Sequence, residues 1–256
     1  MAFINLISST LASSARGWRG TRGAKRSNQP EQMLQLYEYE GCPFCRLVRE
    51  ALTELDLDAV IYPCPRGGTR FRPQAEAVGG RQQFPLLVDD NTDTVLYESS
   101  EIIAYLREHY GVGRNQDAGV PGGLARAGAK MATALRGFAG TRAAGAADSG
   151  PELPLELYSF EASPYSRPVR ELLCTLELPY VLRNTGKAVN ADMGPRWVRE
   201  KFFPDTPVEG RNRKRMTEDT GRMQVPYLID PNTDTRMFES EDILHYLQTT
   251  YGRGRA

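Results

Sequence analysis

Residues 40–52 read EGCPFCRLVREAL, and residues 161–173, 121 positions later, read EASPYSRPVRELL. One phrase is written twice, with cysteines in the first copy and serines in the second. The likeness extends to both sides. Leu34–Glu40 matches Leu155–Glu161 in type and pattern, and PLLVDDNTDTVLYESSEIIAYLREHYG from Pro85 matches PYLIDPNTDTRMFESEDILHYLQTTYG from Pro226 at about half its positions. The chain therefore holds two copies of one unit, and self-similarity of this kind decides the architecture before any local reading does. Between these blocks the offset grows from 121 to 141, which places an insertion of 20 residues in the second copy between Asn184 and Arg222. Its basic run Arg211, Arg213, Lys214 and Arg215 reads as a solvated loop.

Period and punctuation give the order of elements. Residues 34–39 are Leu- and Tyr-rich and short, as in a strand, whereas Val48, Ala51, Leu52 and Leu55 share one face of a helix. CPFC lies between them. Ala59–Tyr62 predicts a second strand and Phe71–Val78 a weak helix. Leu86–Val88 and Thr94–Tyr97 flank a turn of Asp and Asn. A last helix carrying Ile102, Ile103, Leu106 and Tyr110 starts at Ser99 or Ser100 and stops at Gly111. The order is βαβ-α-ββ-α, given twice.

This divides the chain into a basic arm over 1–32, a first unit over 33–112, a Gly/Ala-rich linker over 113–153 with room for one short helix, and a second unit over 154–256. The arm resembles an organellar transit peptide in composition, with no acidic residue and five basic ones up to Arg26. Arg16–Arg22, RGWRGTR, recurs as Arg136–Arg142, RGFAGTR, so the arm belongs to the duplicated unit. Thirty-two basic residues balance thirty-two acidic ones, so no overall field draws in nucleic acid, and no apolar run is long enough for a membrane span. Four cysteines are too few for a disulfide scaffold. A Cys-x-x-Cys pair then reads as a thiol site in a reducing compartment, the cytoplasm being expected and an organelle the alternative.

CPFC at a strand-to-helix junction suits thiol chemistry. Cys42 occupies the cap and Pro43 the first turn, where a missing N–H costs nothing. Free N–H groups and the positive end of the helix dipole face the sulfur and favour thiolate, so Cys42 is the expected nucleophile. Cys45, one turn on, is the expected resolving thiol. Zinc needs four ligands, and the remaining Cys64, Cys174, His109 and His245 lack ligand spacing, so no metal is expected. Cys64 reads as a small residue leaving a strand, and Cys174 as core.

CPFC followed by Leu47-Val48-Arg49, with Phe84-Pro85-Leu86 and Glu98-Ser99 downstream, resembles the glutaredoxin and glutathione S-transferase N-terminal domain family. The resemblance implies an α/β protein of two tandem thioredoxin-like domains. It implies a cis Pro85, a Phe84 backbone that pairs with the cysteinyl part of glutathione, and Glu98 and Ser99 receiving the γ-glutamyl end. Glutathione enters as co-substrate. Catalytic Cys42 and Cys45 with glutathione-binding Phe84, Pro85, Glu98 and Ser99 make a glutathione-linked thiol–disulfide oxidoreductase, acting on glutathione or protein disulfides. The alternatives are a non-catalytic adaptor that binds a protein through its tandem units, and an iron–sulfur carrier. Glutathione conjugation is not expected, because no large helical domain follows either unit.

In the second copy Ser163 and Ser166 stand in place of Cys42 and Cys45, and an alcohol cannot exchange with a disulfide. Val225-Pro226 and Glu239-Ser240 remain. This copy is expected to be redox-silent and to pack on the first copy, or on a protein partner, as a structural unit. A second glutathione site at Ser163, Val225 and Ser240 is the other reading. Residues 1–112 alone are then expected to keep their disulfide chemistry per Cys42 while exposing an apolar face that the second copy covers, and residues 151–256 to be inert toward glutathione disulfide.

Overall fold

The computed structural model describes residues 2–147, 149–194 and 196–253. Residues 254–256, within the second unit's expected span, lie outside the described residues. In the first copy β1 (Leu34–Glu38), α2 (Pro43–Glu54), β2 (Ala59–Pro63), α3 (Arg72–Gly79), β3 (Leu86–Asp89), β4 (Thr94–Leu96) and α4 (Ser99–Tyr110) follow the expected order. The second copy gives β5 (Leu155–Ser159), α6 (Ser166–Thr175), β6 (Tyr180–Asn184), α7 (Arg196–Phe202), α8 (Arg211–Thr220), β7 (Tyr227–Asp230), β8 (Thr235–Phe238) and α9 (Ser240–Tyr251). Two further helices precede the copies, α1 (Ala2–Ala15) and α5 (Gly123–Leu135).

All eight strands form one sheet in the order β4-β3-β1-β2-β6-β5-β7-β8. Within each copy β1 and β2, or β5 and β6, are parallel and the hairpin is antiparallel. The copies join where β2 pairs antiparallel with β6, with Val60 opposite Val181. These two valines are equivalent in the repeat, so a pseudo-two-fold axis passes between them. The pairing covers an edge that each copy would otherwise expose. One hydrophobic core runs across the seam, from Leu36, Leu52 and Ile103 to Leu157, Leu173 and Ile243.

The arms cross over. Gly20 O accepts from Ala162 N–H and Thr21 O from Lys187 N–H, so the first arm runs along the second copy. Gly140 O accepts from Gly41 N–H and Thr141 O from Arg66 N–H, so the second arm runs along the first copy. α1 and α5 lie antiparallel above the α2/α6 seam: Arg16 donates to Ala125 O, and Arg136 to Asn5 O. Their spacing is tight, since a Cβ on Gly128 would sit 2.9 Å from Ala15 O. The Gly and Ala that read as linker composition are what permits this approach. Residues 1–112 alone would carry an arm belonging over the second copy and would lack the arm that covers their own CPFC.

The reading of the insertion's basic run is corrected. It opens helix α8, the counterpart of α3, so the added residues lie between β6 and α8 and include α7. Arg211 meets Asp58 at 2.8 Å, and buried Arg213 meets Asp192 at 3.0 Å. Lys214 and Arg215 are exposed, with Glu209 and Asp219 as partners. Buried carboxylates under the helix start, which the linear sequence does not place there, turn half of a charge run inward.

Candidate active site and ligand cavity

The CPFC site forms at the start of α2. Cys42 is the N-cap in extended conformation, Pro43 the first helical residue, and Cys45 N–H donates to Cys42 Sγ at 3.3 Å. The Cys42 thiol is lowered from its ordinary value to about 7 by a hydrogen bond from the Cys45 thiol, by the backbone N–H groups of Cys45 and Phe44, and by the Tyr39 hydroxyl; burial acts in the other direction. Cys45 is pushed well up by burial and by its bond to Cys42. Near neutral pH Cys42 is divided between thiol and thiolate, while its neighbour is held as thiol. Cys64 is pushed up by burial, and so is Cys174, whose sulfur accepts from Glu40 N–H and donates to Gly140 O.

Access is more restricted than a cap position suggests. Cys42 is only 2% exposed because the second arm lies across Gly41. A cavity of about 600 Å³ opens beside it, lined by Gly41 and Pro43 on either side of Cys42, by Tyr39, and by Lys130, Thr133 and Phe138 of the second arm.

The other expected residues gather around Tyr39 and the start of α4. The Phe84–Pro85 peptide is cis, and the Phe84 ring stands edge-on to Tyr39 at 6.3 Å with Arg72 over it at 5.0 Å. Glu98 caps α4 with φ 61°, a conformation few non-glycine residues adopt. The Gln83 amide donates to its carboxylate and ties the Pro85 turn to the start of α4, where Ser99 is buried.

The second copy repeats this frame without sulfur. Ser166 N–H and Oγ donate to Ser163 Oγ at 3.2 and 2.9 Å, Val225–Pro226 is cis, Glu239 has φ 66°, and Gln224 donates to Glu239. Here Ser163, Val225, Pro226, Glu239 and Ser240 all line one cavity of about 870 Å³. Further walls come from the first arm (Leu6, Thr10, Trp18), from the insertion (Asp192, Met193, Arg199) and from Phe160, Tyr165 and Met223 of the second copy. Asp192 is buried against Arg199 and Arg213 and, among the described residues, keeps one carboxylate oxygen without a hydrogen-bond partner. The repeat pattern pointed to the five family positions; the walls from the arm and the insertion had no signal in the sequence.

Behind both sites lies a buried charge network across the axis. Arg49 contacts Glu38, Glu40 and Glu161, and Arg170 contacts Glu40 and Glu161. Burial pushes the Glu161 carboxyl up, but Arg170, Arg49, Arg46 and Arg167 outweigh it and hold it well below the usual carboxylate range. The symmetry breaks at Glu38. Glu38 is pushed up to about 8 by burial, against Arg49, and interacts with the Cys42 sulfur, whereas the hydroxyl of its equivalent Ser159 accepts from Arg170 at 2.9 Å.

The model of the glutathione S-transferase N-terminal domain matches residues 36–116 and again 157–255. The chain belongs to the glutathione S-transferase N-terminal domain family. No curated protein matches it. Among solved structures, Leishmania TDR1, described as a unique trimeric glutathione transferase, is similar at 14% identity over 88% of this chain and 68% of its own, with a TM-score of 0.28. The family fits the thioredoxin-like α/β fold of each half. Among the described residues, no cluster of three or more His, Cys, Asp or Glu is placed to hold a metal ion, and no helix is long and apolar enough to cross a membrane.

Proposed function

We propose that the first copy is a glutathione-linked thiol–disulfide oxidoreductase of a reducing compartment such as the cytoplasm. The supporting observation is the pair of opposed thiol shifts at the α2 cap, Cys42 down to about 7 and Cys45 well up. The Cys42 thiolate attacks the glutathione-side sulfur of a glutathionylated protein. The old S–S bond breaks, a Cys42–glutathione disulfide forms, and the protein thiolate leaves and takes a proton from water. Cys45, on losing its proton, attacks Cys42 and releases glutathione thiolate, and two further glutathione molecules reduce the Cys42–Cys45 disulfide to dithiol, leaving as glutathione disulfide. Phe84 and Pro85 hold the cysteinyl part of glutathione, and Glu98 and Ser99 its γ-glutamyl end. The second copy has no thiol at these positions and takes no part in exchange.

A ligand-holding role for the second copy is favoured over a purely structural one by its cavity, which collects the family's binding positions around Ser163. It holds glutathione without reacting with it.

Reduction of hydroxyethyl disulfide with glutathione and glutathione reductase tests the first role. Activity that depends on Cys42 is expected, and full activity in Cys42→Ser would overturn it. Calorimetric titration of the Cys42→Ser/Cys45→Ser chain with glutathione tests the second: two sites are expected, one of them weakened about tenfold by Glu239→Ala, and indifference to that change would leave the second copy structural.

A further inference from the structure

The duplicated arms carry an exposed apolar row of which only the last members, Trp18 and Phe138, also border the two cavities. On α1 and just beyond it, Ile4, Ile7, Leu11 and Trp18 follow helical spacing along one side, opposite the buried Ser9, Ala12 and Ser13. At an offset of 120, Leu124, Ala127, Met131 and Phe138 repeat that row on α5, opposite the buried Ala129, Ala132 and Thr133. Ile4, Leu11, Trp18, Leu124, Met131 and Phe138 are between 43% and 92% exposed. Because α1 and α5 lie side by side and antiparallel above the α2/α6 seam, the two rows run together on the outer helix layer.

Charge follows the same segments. Residues 1–30 and 118–147 hold nine of the thirty-two basic residues and none of the thirty-two acidic ones. The chain is neutral overall but its arms are cationic. Among these, Arg22, Lys25, Arg26, Arg126 and Lys130 are exposed.

We propose that this double-arm layer is a docking surface for an anionic lipid membrane. The helices would lie in the plane of the interface, the apolar rows entering the acyl boundary, Trp18 and Phe138 at headgroup depth, and the flanking Arg and Lys side chains on anionic headgroups. A second copy of the chain is a poorer occupant, because it would oppose two arm layers whose own segments carry basic and no acidic residues. The arm is built into the fold, with Arg16 ion-paired to buried Glu50 and Arg167 donating to Ser9 O, so the surface is fixed in shape before it meets a bilayer.

The test uses the full chain with vesicles of phosphatidylcholine, with and without phosphatidylserine. Trp197→Phe leaves Trp18 as the sole tryptophan. Sedimentation with the phosphatidylserine vesicles, reversed by salt, and quenching of Trp18 by brominated acyl chains are expected. Leu11→Glu/Met131→Glu, at positions about half exposed, keeps the circular dichroism and lowers partitioning about tenfold or more. Arg126→Gln lowers it about fivefold or less at low salt. Absence of binding, equal binding to both vesicle types, unquenched Trp18, or undiminished binding of the double glutamate variant would each overturn the proposal. So would a concentration-dependent dimer that the double glutamate variant dissociates, which would assign the face to a second copy.

Discussion

The two copies share a backbone frame and differ in what fills it. In the first copy the α2 cap is sulfur, a buried Glu38 stands behind it, and the second arm closes over it. In the second copy the cap is a hydroxyl, Ser159 replaces Glu38, and the frame opens into the larger cavity. The first copy keeps both thiols at its helix cap, and the second gathers the matching frame positions around one cavity. The lesson is that a binding frame and a nucleophile need not be kept or lost together.

The sharpest way to break this comparison is at the nucleophile. Cys42→Ser is expected to lower disulfide reduction by more than ~1000-fold, while Cys45→Ser keeps much of the deglutathionylation; steady-state rates with a glutathionylated peptide distinguish the two, and the reverse order would exchange their roles. Next comes the network that joins the copies. Glu161→Ala leaves three buried arginines short of a partner and is expected to cost about 3–5 kcal/mol by urea unfolding. Glu40→Ala, serving two arginines, is expected to cost less.

A smaller effect separates the thiols by pH. Cys42 has a folded pKa of about 7, below its unfolded value, so its thiolate stabilises the fold above the unfolded value and this contribution is lost as pH falls through about 7. The wild-type chain should therefore gain on Cys42→Ser by roughly 2 kcal/mol between pH 7 and 9, and iodoacetamide should label Cys42 with a midpoint near pH 7. No such gain, or equal labelling of all four cysteines, would remove the distinction between Cys42 and Cys45. Smallest is the ligand contact: Glu239→Ala should weaken glutathione binding about tenfold in the second copy, read by calorimetry in the chain lacking both CPFC thiols.

The βαβ-α-ββ-α order was legible because apolar spacing switches between helix and strand periods and because each copy confirms the other. The cap position of Cys42 was legible because cap chemistry is local, whereas the cis Pro85 came only through the family resemblance and local reading put the α4 cap at Ser99 or Ser100, one or two residues past Glu98. The crossing of the arms was not. Arg16–Arg22 and Arg136–Arg142 reveal that the arm is repeated, but which copy each one covers is fixed by contacts such as Gly20 with Ala162, far apart in sequence. The same reason hid the burial of Cys42. In the segment around Gly128, small residues suggested slack chain, whereas they mark helices in close contact.

The pairing of Val60 with Val181 at the axis has a consequence for how such a molecule can change over generations. When identical protomers assemble about a two-fold axis, every mutation appears in both sites at once, and a substitution that improves one role damages the other. Here each half has its own codons. Glu38 can persist in one half while Ser159 occupies the other, and two cysteines can be exchanged for serines without disarming the partner site. Residues near the axis remain answerable to both halves, since a change at Val60 must still suit Val181.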